Sequence, residues 1–199
     1  MRGYRALGIG LGDETLKVAT QRAAICRASL AEFEVFDARC LGQRKDLHEQ
    51  FDVVVCCETI EHILDDEKLM ADMAKCLRGD GRLLLTAPNF HYKPMTRTDE
   101  GPFLAIEDGR HVRKGYTPEG LGRLCASAGL RVCEIDYCSG YTSQKITAVL
   151  RTVNAIQPVL GWVVVLPLRT IPPLVDSRLS GIIDWPGFSI TLVGEKACA

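Results

Sequence analysis

Three of the four histidines stand where a proton acceptor would be useful. The pair Glu61-His62 follows the apolar run FDVVVCC, and His91 and His111 lie on the long polar segment 90–115. A neutral imidazole accepts a proton near neutral pH, so each of these histidines is a candidate general base toward an oxygen or nitrogen nucleophile. A structural hydrogen bond is the alternative role for each, and the sequence leaves both open.

The cysteines point away from metal and disulfide chemistry. There are nine, an odd number, and no two of them are spaced as Cys-x-x-Cys. Several lie in apolar runs, where cysteine behaves as a small hydrophobic residue. We therefore expect reduced thiols, a cytoplasmic protein and no metal site.

Composition favours one domain, residues 1–199, with a core, because 47% of the residues are hydrophobic. The net charge is −1 and no basic block is present, so we expect no nucleic-acid partner. The uncharged segment 152–168 is shorter than the roughly 20 apolar residues that span a membrane. It is predicted to cover the core; a homodimer face or a peripheral membrane contact through residues 152–175 is the alternative.

The pattern of elements indicates an α/β fold. FDVVVCCETI and RLLLTAPN are typical of strands buried on both faces of a parallel sheet. Between them, DDEKLMADMAKCL predicts a helix with an acidic start and a stop at RGDG. Thr117 and Pro118 mark the start of another helix. Residues 141–180 are predicted to be a helical, apolar insert before the last strand, GFSITLVGEK. Strands that alternate with helices predict a mostly parallel sheet covered by helices.

The opening stretch GIGLGDE raises the question of a ligand-binding turn. Gly8, Gly10 and Gly12 alternate and Asp13 follows, between a strand-like and a helix-like segment. This is the setting of a glycine-rich phosphate or cofactor loop, although the motif alone is weak. Small residues here would equally allow close packing of a helix against a strand.

From Phe51 to Asn89 the chain resembles the class I S-adenosylmethionine-dependent methyltransferases. The block FDVVVCCETIEHI…LRGDGRLLLTAPN matches the family's fourth strand, its Glu-His turn, a helix and the fifth strand. HVRKGYTPEGLGRLCASAGLRV and GFSITLVGEK resemble its later elements, the last strand being antiparallel. The resemblance implies a Rossmann-like methyltransferase sheet, with S-adenosylmethionine as cofactor.

Two alignments of the N-terminal part with the family remain open. In the first, the segment 4–19 corresponds to the second strand and its helix, and Gly10 stands where relatives carry the acid that binds the ribose. The first strand and the glycine loop would then be absent, so that the fold is N-terminally shortened. In the second alignment, the glycines at 8, 10 and 12 are that loop, and one strand–helix unit is missing further on.

The resemblance also implies site residues and a reaction. An acceptor is expected beside the candidate bases, and the chemistry is methyl transfer to a small-molecule, sugar or lipid-linked acceptor. The alternative is a non-catalytic methyltransferase-like subunit or truncated fragment that binds a partner. The implied cofactor contacts lie at the ends of successive strands: Gly8, Gly10, Asp13, Asp37, Ala38, Cys57 and Glu58.

Overall fold

The computed structural model describes residues 3–95 and 97–197, except the side chains of residues 97, 98, 158–160 and 162. The order of elements is the one that the sequence predicts, with three helices in the insert. In chain order they are β1 (Ala6–Gly10), α1 (Asp13–Ile25), β2 (Ala31–Val35), β3 (Phe51–Cys57), α2 (Asp66–Cys76), β4 (Leu77–Pro88), α3 (Pro118–Ser127), β5 (Leu130–Cys138), α4 (Tyr141–Asn154), α5 (Pro158–Leu168), α6 (Pro172–Ile182) and β6 (Ser189–Lys196).

The strands form two sheets. β1 and β2 pair in parallel with each other, and the second sheet has the order β3-β4-β6-β5. β3 and β4 are parallel, whereas β6 lies between β4 and β5 and runs antiparallel to both. The expected mixed sheet, mostly parallel with an antiparallel last strand, is confirmed.

The break between the two sheets lies between β1 and β3. Among the described residues, no strand bonds to both β1 and β3. In a doubly wound sheet of order 3-2-1-4-5-6, the first strand lies between the second and the fourth. The break therefore supports the alignment in which β1 is the family's second strand. The alternative alignment predicts that β1 pairs with β3, and this pairing is not observed in the part of the chain described.

The core lies on one face of the four-stranded sheet. Leu83, Leu85 and Ala87 of β4 are buried there, against α2 and α3. The prediction that β3 is buried on both faces is wrong, because Val53 and Val55 are 47% and 62% exposed. These two side chains point to the face opposite the core cluster, and α1, which could have covered apolar strand residues, buries none of its own.

Capping residues start the helices where the sequence predicts them. The Asp65 carboxylate accepts a hydrogen bond from the Lys68 amide, and the Thr117 hydroxyl accepts one from the Gly120 amide. The predicted stop of α2 at RGDG is confirmed, because the helix ends at Cys76. Residues 78–81 lie within the bounds of β4. Asp80 takes a positive φ of 63°, so the chain turns there without leaving the strand.

Polar contacts at the start of α4 connect it to α6 and to the segment that follows α6. The Asp176 carboxylate on α6 accepts hydrogen bonds from the Gly140 and Thr142 amides at 2.9 and 2.7 Å. The buried Gln144 accepts a hydrogen bond from the Trp185 indole at 3.0 Å. Of the helices in the described residues, none combines the length and the apolar character that crossing a membrane requires.

Candidate functional site

A buried carboxylate lies between two imidazoles just beyond the end of β3. Glu61 is 0% exposed, and Nε2 of His62 and Nε2 of His111 lie 3.8 and 3.9 Å from its Oε1. The two rings meet edge to face, with centroids 4.7 Å apart. These separations exceed hydrogen-bond length. Neither carboxylate oxygen of Glu61, nor Nδ1 of His62, has a hydrogen-bond partner among the described residues.

Backbone bonds hold this cluster together. Glu61 and His62 belong to a short 3-10 helix, Ile60–His62, that follows β3. The amide of Val112 donates to the carbonyl of Glu61 at 3.0 Å, which brings the neighbouring His111 against the helix. The segment 111–116 thus crosses the end of β3 as a strap.

Side chains of the strap anchor it to residues 63–66, which follow Glu61 and His62 in the chain. The Tyr116 hydroxyl donates to Asp66 at 2.8 Å, and Arg113 pairs with the same carboxylate. Arg113 also donates to the carbonyls of Ile63 and Leu64, at 2.7 and 2.9 Å. The candidate site is therefore built from two segments far apart in the chain and fixed by several independent contacts.

The electrostatics of the cluster follow from its burial. Loss of solvent raises the pKa of Glu61 to about 7, with a smaller rise from the Glu58 charge and an opposing effect of Arg113. Burial and the neighbouring His62 lower the pKa of His111. His111 is therefore a neutral imidazole near pH 7, with a lone pair available for a proton or a cation.

His91, the third candidate base, lies apart from this cluster. It is exposed, its ring meets that of Phe90, and its amide donates to the Asn89 side chain at 3.1 Å. It lines a cleft of about 1150 Å³ bounded by the end of β5, α4 and α6. The structure thus brings together two of the three predicted histidines.

The N-terminal glycines have packing roles. A Cβ at Gly8 would lie 2.8 Å from the Phe33 ring, and one at Gly10 would lie 3.1 Å from Leu16. Close approach of β1 to β2 and α1 therefore accounts for both residues. Asp13 starts α1 and is exposed. The predicted cofactor contacts of these residues stay predictions.

Asp37 is engaged in a cap. Its carboxylate accepts hydrogen bonds from the Arg39 amide and guanidinium, at 2.9 and 2.6 Å, at the start of the 3-10 helix Ala38–Gln43. The hydrogen bonds from Arg39 are the main reason why the pKa of Asp37 is lowered. Contact of Asp37 or Ala38 with adenine stays a prediction.

An ion-pair bridge places the ends of β2 and β3 at the same edge of the molecule. Nη1 of Arg39 lies 2.7 Å from Glu107, and the second oxygen of Glu107 accepts from the Leu64 amide at 2.6 Å. Arg39 follows β2 and Leu64 follows β3. Ligands of open α/β sheets bind at this carboxyl edge.

Cys57 and Glu58 end β3 on the same edge. Both are exposed, and Glu58 takes a positive φ of 46°. Cys56, by contrast, is buried, and burial raises the pKa of its thiol to about 12, so it is an unreactive packing residue. A contact of Cys57 or Glu58 with a cofactor fits this exposure.

Arg110, Arg113 and Lys114 each contact a neighbouring carboxylate or aromatic ring. Arg110 pairs with Asp108 at 2.6 Å, and Arg113 pairs with Asp66. Lys114 lies over the Phe90 ring, 5.2 Å from its centroid. Their positive charges hold the loop.

Sequence reasoning underestimated Glu61. The pair Glu61-His62 was visible, but the spacing of acids and histidines gives no sign that His111 closes the cluster. An acid set between Ile60 and Ile63 was the available signal, since carboxylates are rarely buried without a partner.

Comparison with known proteins identifies the family. The sequence profile described as "Methyltransferase domain" matches residues 7–135. The ubiquinone biosynthesis O-methyltransferase of Neisseria meningitidis serogroup A is 28% identical over 131 residues, which are 64% of this chain and 54% of that protein. The enzyme of the same name from Aeromonas salmonicida is 30% identical over 135 residues, 66% of this chain and 56% of that protein. The chain thus matches about half the length of these relatives.

Solved structures agree on the fold. A putative sarcosine dimethylglycine methyltransferase from Galdieria sulphuraria superposes with a TM-score of 0.63 at 10% identity, over 97% of this chain and 70% of that one. Phosphoethanolamine N-methyltransferase 2 of Haemonchus contortus, in complex with S-adenosyl-L-methionine, gives 0.61 at 17% identity, over 96% and 43%. Since the family profile covers more than half of its length, the chain belongs to the methyltransferase domain family, the class I S-adenosylmethionine-dependent methyltransferases.

Proposed function

We propose that this chain binds S-adenosylmethionine and transfers its methyl group to a hydroxyl oxygen of a small-molecule, sugar or lipid-linked acceptor. The observation that carries the proposal is the cluster of Glu61, His62 and His111 at the carboxyl edge of β3. It supplies groups that activate a hydroxyl, at the edge where this class of sheet binds ligands. The O-methyltransferases among the relatives act on an oxygen, as their names state, and support this choice.

The residues at the carboxyl edge fit the cofactor. Residues 11–13 and 57–58 are exposed, and the acids Asp13, Asp37 and Glu58 follow β1, β2 and β3. Ribose hydroxyls and the adenine amino group donate hydrogen bonds, and carboxylates and carbonyls can accept them. When bound there, the cofactor supplies a methyl group on a positively charged sulfur.

The chain contributes alignment and activation. As the acceptor oxygen forms its bond to the methyl carbon, the carbon–sulfur electron pair stays on sulfur and the hydroxyl loses its proton. Two roles are chemically open to Glu61 and His111: accepting that proton, or holding a cation that makes the oxygen more acidic. Both roles need the strap to keep His111 beside Glu61.

The apolar surface of the insert supports an apolar acceptor. On α5 and α6, Val163, Leu166 and Leu174 are exposed. An acceptor with a hydrocarbon part would gain by covering them. The same surface suits a peripheral contact with membrane lipids.

Calorimetric titration with S-adenosylhomocysteine tests the proposal. We expect micromolar binding by the 199-residue chain, lost or weakened at least about tenfold in Asp37→Ala. The control is Asp52→Ala, an exposed acid that pairs with Arg78 near the opposite end of β3. Absence of binding by the folded chain, or equal weakening by both substitutions, would overturn the cofactor site.

A second candidate function is favoured by the break between the sheets. The outer edges of β1 and β3 carry no strand partner among the described residues. Unpaired edges accept strands from other chains. We infer that a non-catalytic, partner-binding role is the alternative. A folded chain that binds no S-adenosylhomocysteine would favour it.

A further inference from the structure

The Glu61 carboxylate requires a partner that the described residues do not supply. It is completely buried, and neither oxygen accepts a hydrogen bond among those residues. A buried carboxylate without donors costs several kcal/mol of solvation, and such groups are normally paired or bound to a metal. Arg113, the arginine of the strap, donates instead to Asp66 and to two carbonyls.

The two imidazoles supply the rest of a cation site. One ligand atom from each of Glu61, His62 and His111 can be chosen so that all three lie within 4.8 Å of one another. In a tetrahedral zinc site, ligand atoms lie roughly 3.4 Å apart, given bonds of about 2.1 Å. The separations of 3.8 and 3.9 Å from the carboxylate to the imidazoles need a small contraction, and the largest separation in the trio, up to 4.8 Å, needs a movement of about 1.4 Å.

The frame around these atoms is suited to holding an ion. Glu61 and His62 are on one short helix, and His111 is fixed to it by the Val112 amide bond to the Glu61 carbonyl. The carboxylate is buried, whereas the side chains of His62 and His111 are 29% and 35% exposed. Solvent therefore reaches the site from the imidazole side.

We propose that Glu61, His62 and His111 bind one divalent transition-metal ion of the zinc class. Two imidazoles and one carboxylate form a ligand set suited to such ions. Three protein ligands leave at least one coordination position open, and it faces the accessible side of the cluster. This proposal departs from the expectation of no metal site, which considered only ligand spacing along the sequence.

The role of the ion rests on the proposed methyl transfer. An acceptor hydroxyl in the open position would have its oxygen polarised by the ion and would lose its proton to water more readily. The resulting oxygen anion attacks the methyl carbon. His111 then serves as a ligand and not as the proton acceptor.

Cobalt binding tests the site directly. The untagged chain is freed of metal with a chelator, dialysed, and titrated with Co²⁺ by calorimetry and visible absorption. We expect one Co²⁺ per chain, with ligand-field bands and without the sulfur-to-cobalt absorption that thiolate ligands give. This last readout matters because Cys26, Cys57 and Cys133 are exposed thiols.

Substitutions separate this site from other metal binding. Glu61→Gln preserves side-chain volume, and His111→Ala removes an imidazole; we expect each to weaken Co²⁺ binding at least about tenfold while circular dichroism stays unchanged. His91→Ala, which removes an exposed imidazole outside the cluster, is the control and is expected to bind like the parent. No binding by the parent, binding unaffected by Glu61→Gln, or a thiolate spectrum would overturn the proposal.

The proposed cation site and the proposed methyltransferase function can be tested separately. S-adenosylhomocysteine is titrated into the same metal-free chain. Cobalt binding without S-adenosylhomocysteine binding would uphold the metal site and overturn the proposed function. S-adenosylhomocysteine binding without cobalt binding would overturn the metal site alone, and proton acceptance by the cluster would then be the remaining role.

Discussion

Individual residues of the site are held by the backbone around them. Glu61 makes no side-chain hydrogen bond to the described residues, yet its carbonyl accepts from Val112. The strap that carries His111 is in turn tied to β4, because the Tyr116 amide donates to the Pro88 carbonyl and the Phe90 amide donates to the Tyr116 carbonyl, at 2.8 and 2.7 Å. The position of His111 therefore depends on how closely the strap approaches β4.

Gly115 makes that approach possible, and Gly115→Ala should break it. Its φ is +149°, and a Cβ there would lie 2.3 Å from the carbonyl oxygen of Pro88. We expect a loss of about 3 kcal/mol in the free energy of unfolding, because neither backbone can yield without losing the Tyr116 bonds. Urea denaturation measures the loss, and weaker Co²⁺ binding should accompany it.

The matched control is Gly122→Ala in α3. A Cβ at Gly122 would meet nothing within 4 Å, and alanine favours a helix by about 0.5–1 kcal/mol over glycine. This variant should be as stable as the parent chain or more so. Equal destabilisation by the two substitutions would show that the contact with Pro88 is not the cause.

The residue types of the site were predictable from the sequence, but their assembly was not. His62 and His111 could be chosen as candidate bases, one in the turn after β3 and the other on the long segment after β4. Their contact depends on the path of the strap, which no periodic pattern specifies. Asp37 shows the opposite case. Its carboxylate can accept hydrogen bonds from Arg39, two residues further along the chain, and the structure shows this cap.

At the scale of elements, hydrophobic periodicity and capping residues were sufficient to predict an element that packs on one neighbour. α3 begins with the predicted cap, and Leu121 and Cys125 are its buried residues. The hydrophobic pattern gave a wrong prediction of burial where burial depends on an element that is distant in the sequence. The valines of β3 are apolar on both faces, but no helix covers Val53 and Val55. The apolar character of a strand therefore indicates that another element could cover it. It does not indicate whether an element does.

The exposed apolar face of α5 predicts binding to a lipid surface. Val163 and Leu166 are each 64% exposed, and α5 carries no charged residue. We expect the chain to co-sediment with phosphatidylcholine vesicles, and Val163→Asp combined with Leu166→Asp to lower the bound fraction at least about tenfold, because a charge opposes insertion.

Ile25→Asp is the control for vesicle binding. Ile25 is an equally apolar and exposed residue, at the end of α1. This variant should sediment like the parent chain. Failure of the parent chain to sediment, or equal losses in both variants, would contradict a contact through α5.

At the scale of the whole molecule, the two sheets differ in how they are stabilised. The four-stranded sheet carries the buried core on one face, including Leu83, Leu85 and Leu192. β1 contributes only the partly buried Leu7 and Ile9 to it, and α1 has no buried residue. The smaller sheet should open without unfolding the larger one.

Hydrogen exchange tests this difference. We expect the paired amides of β1 and β2 to exchange at least about 100-fold faster than those between β4 and β6, measured by mass spectrometry of peptic fragments. β5 is the control, since it is also an edge strand but belongs to the larger sheet. Similar protection of β1 and β4 would show that both sheets open together.

The central position of β6 has a consequence for biosynthesis. β6 lies between β4 and β5, yet it is the last of the six strands to be made. About 50 residues separate the end of β5 from the start of β6, which corresponds to roughly 3–10 s of translation. For that interval β4 and β5 stand with open edges facing each other. The nascent chain therefore depends on β6 leaving the ribosome before its main sheet can close.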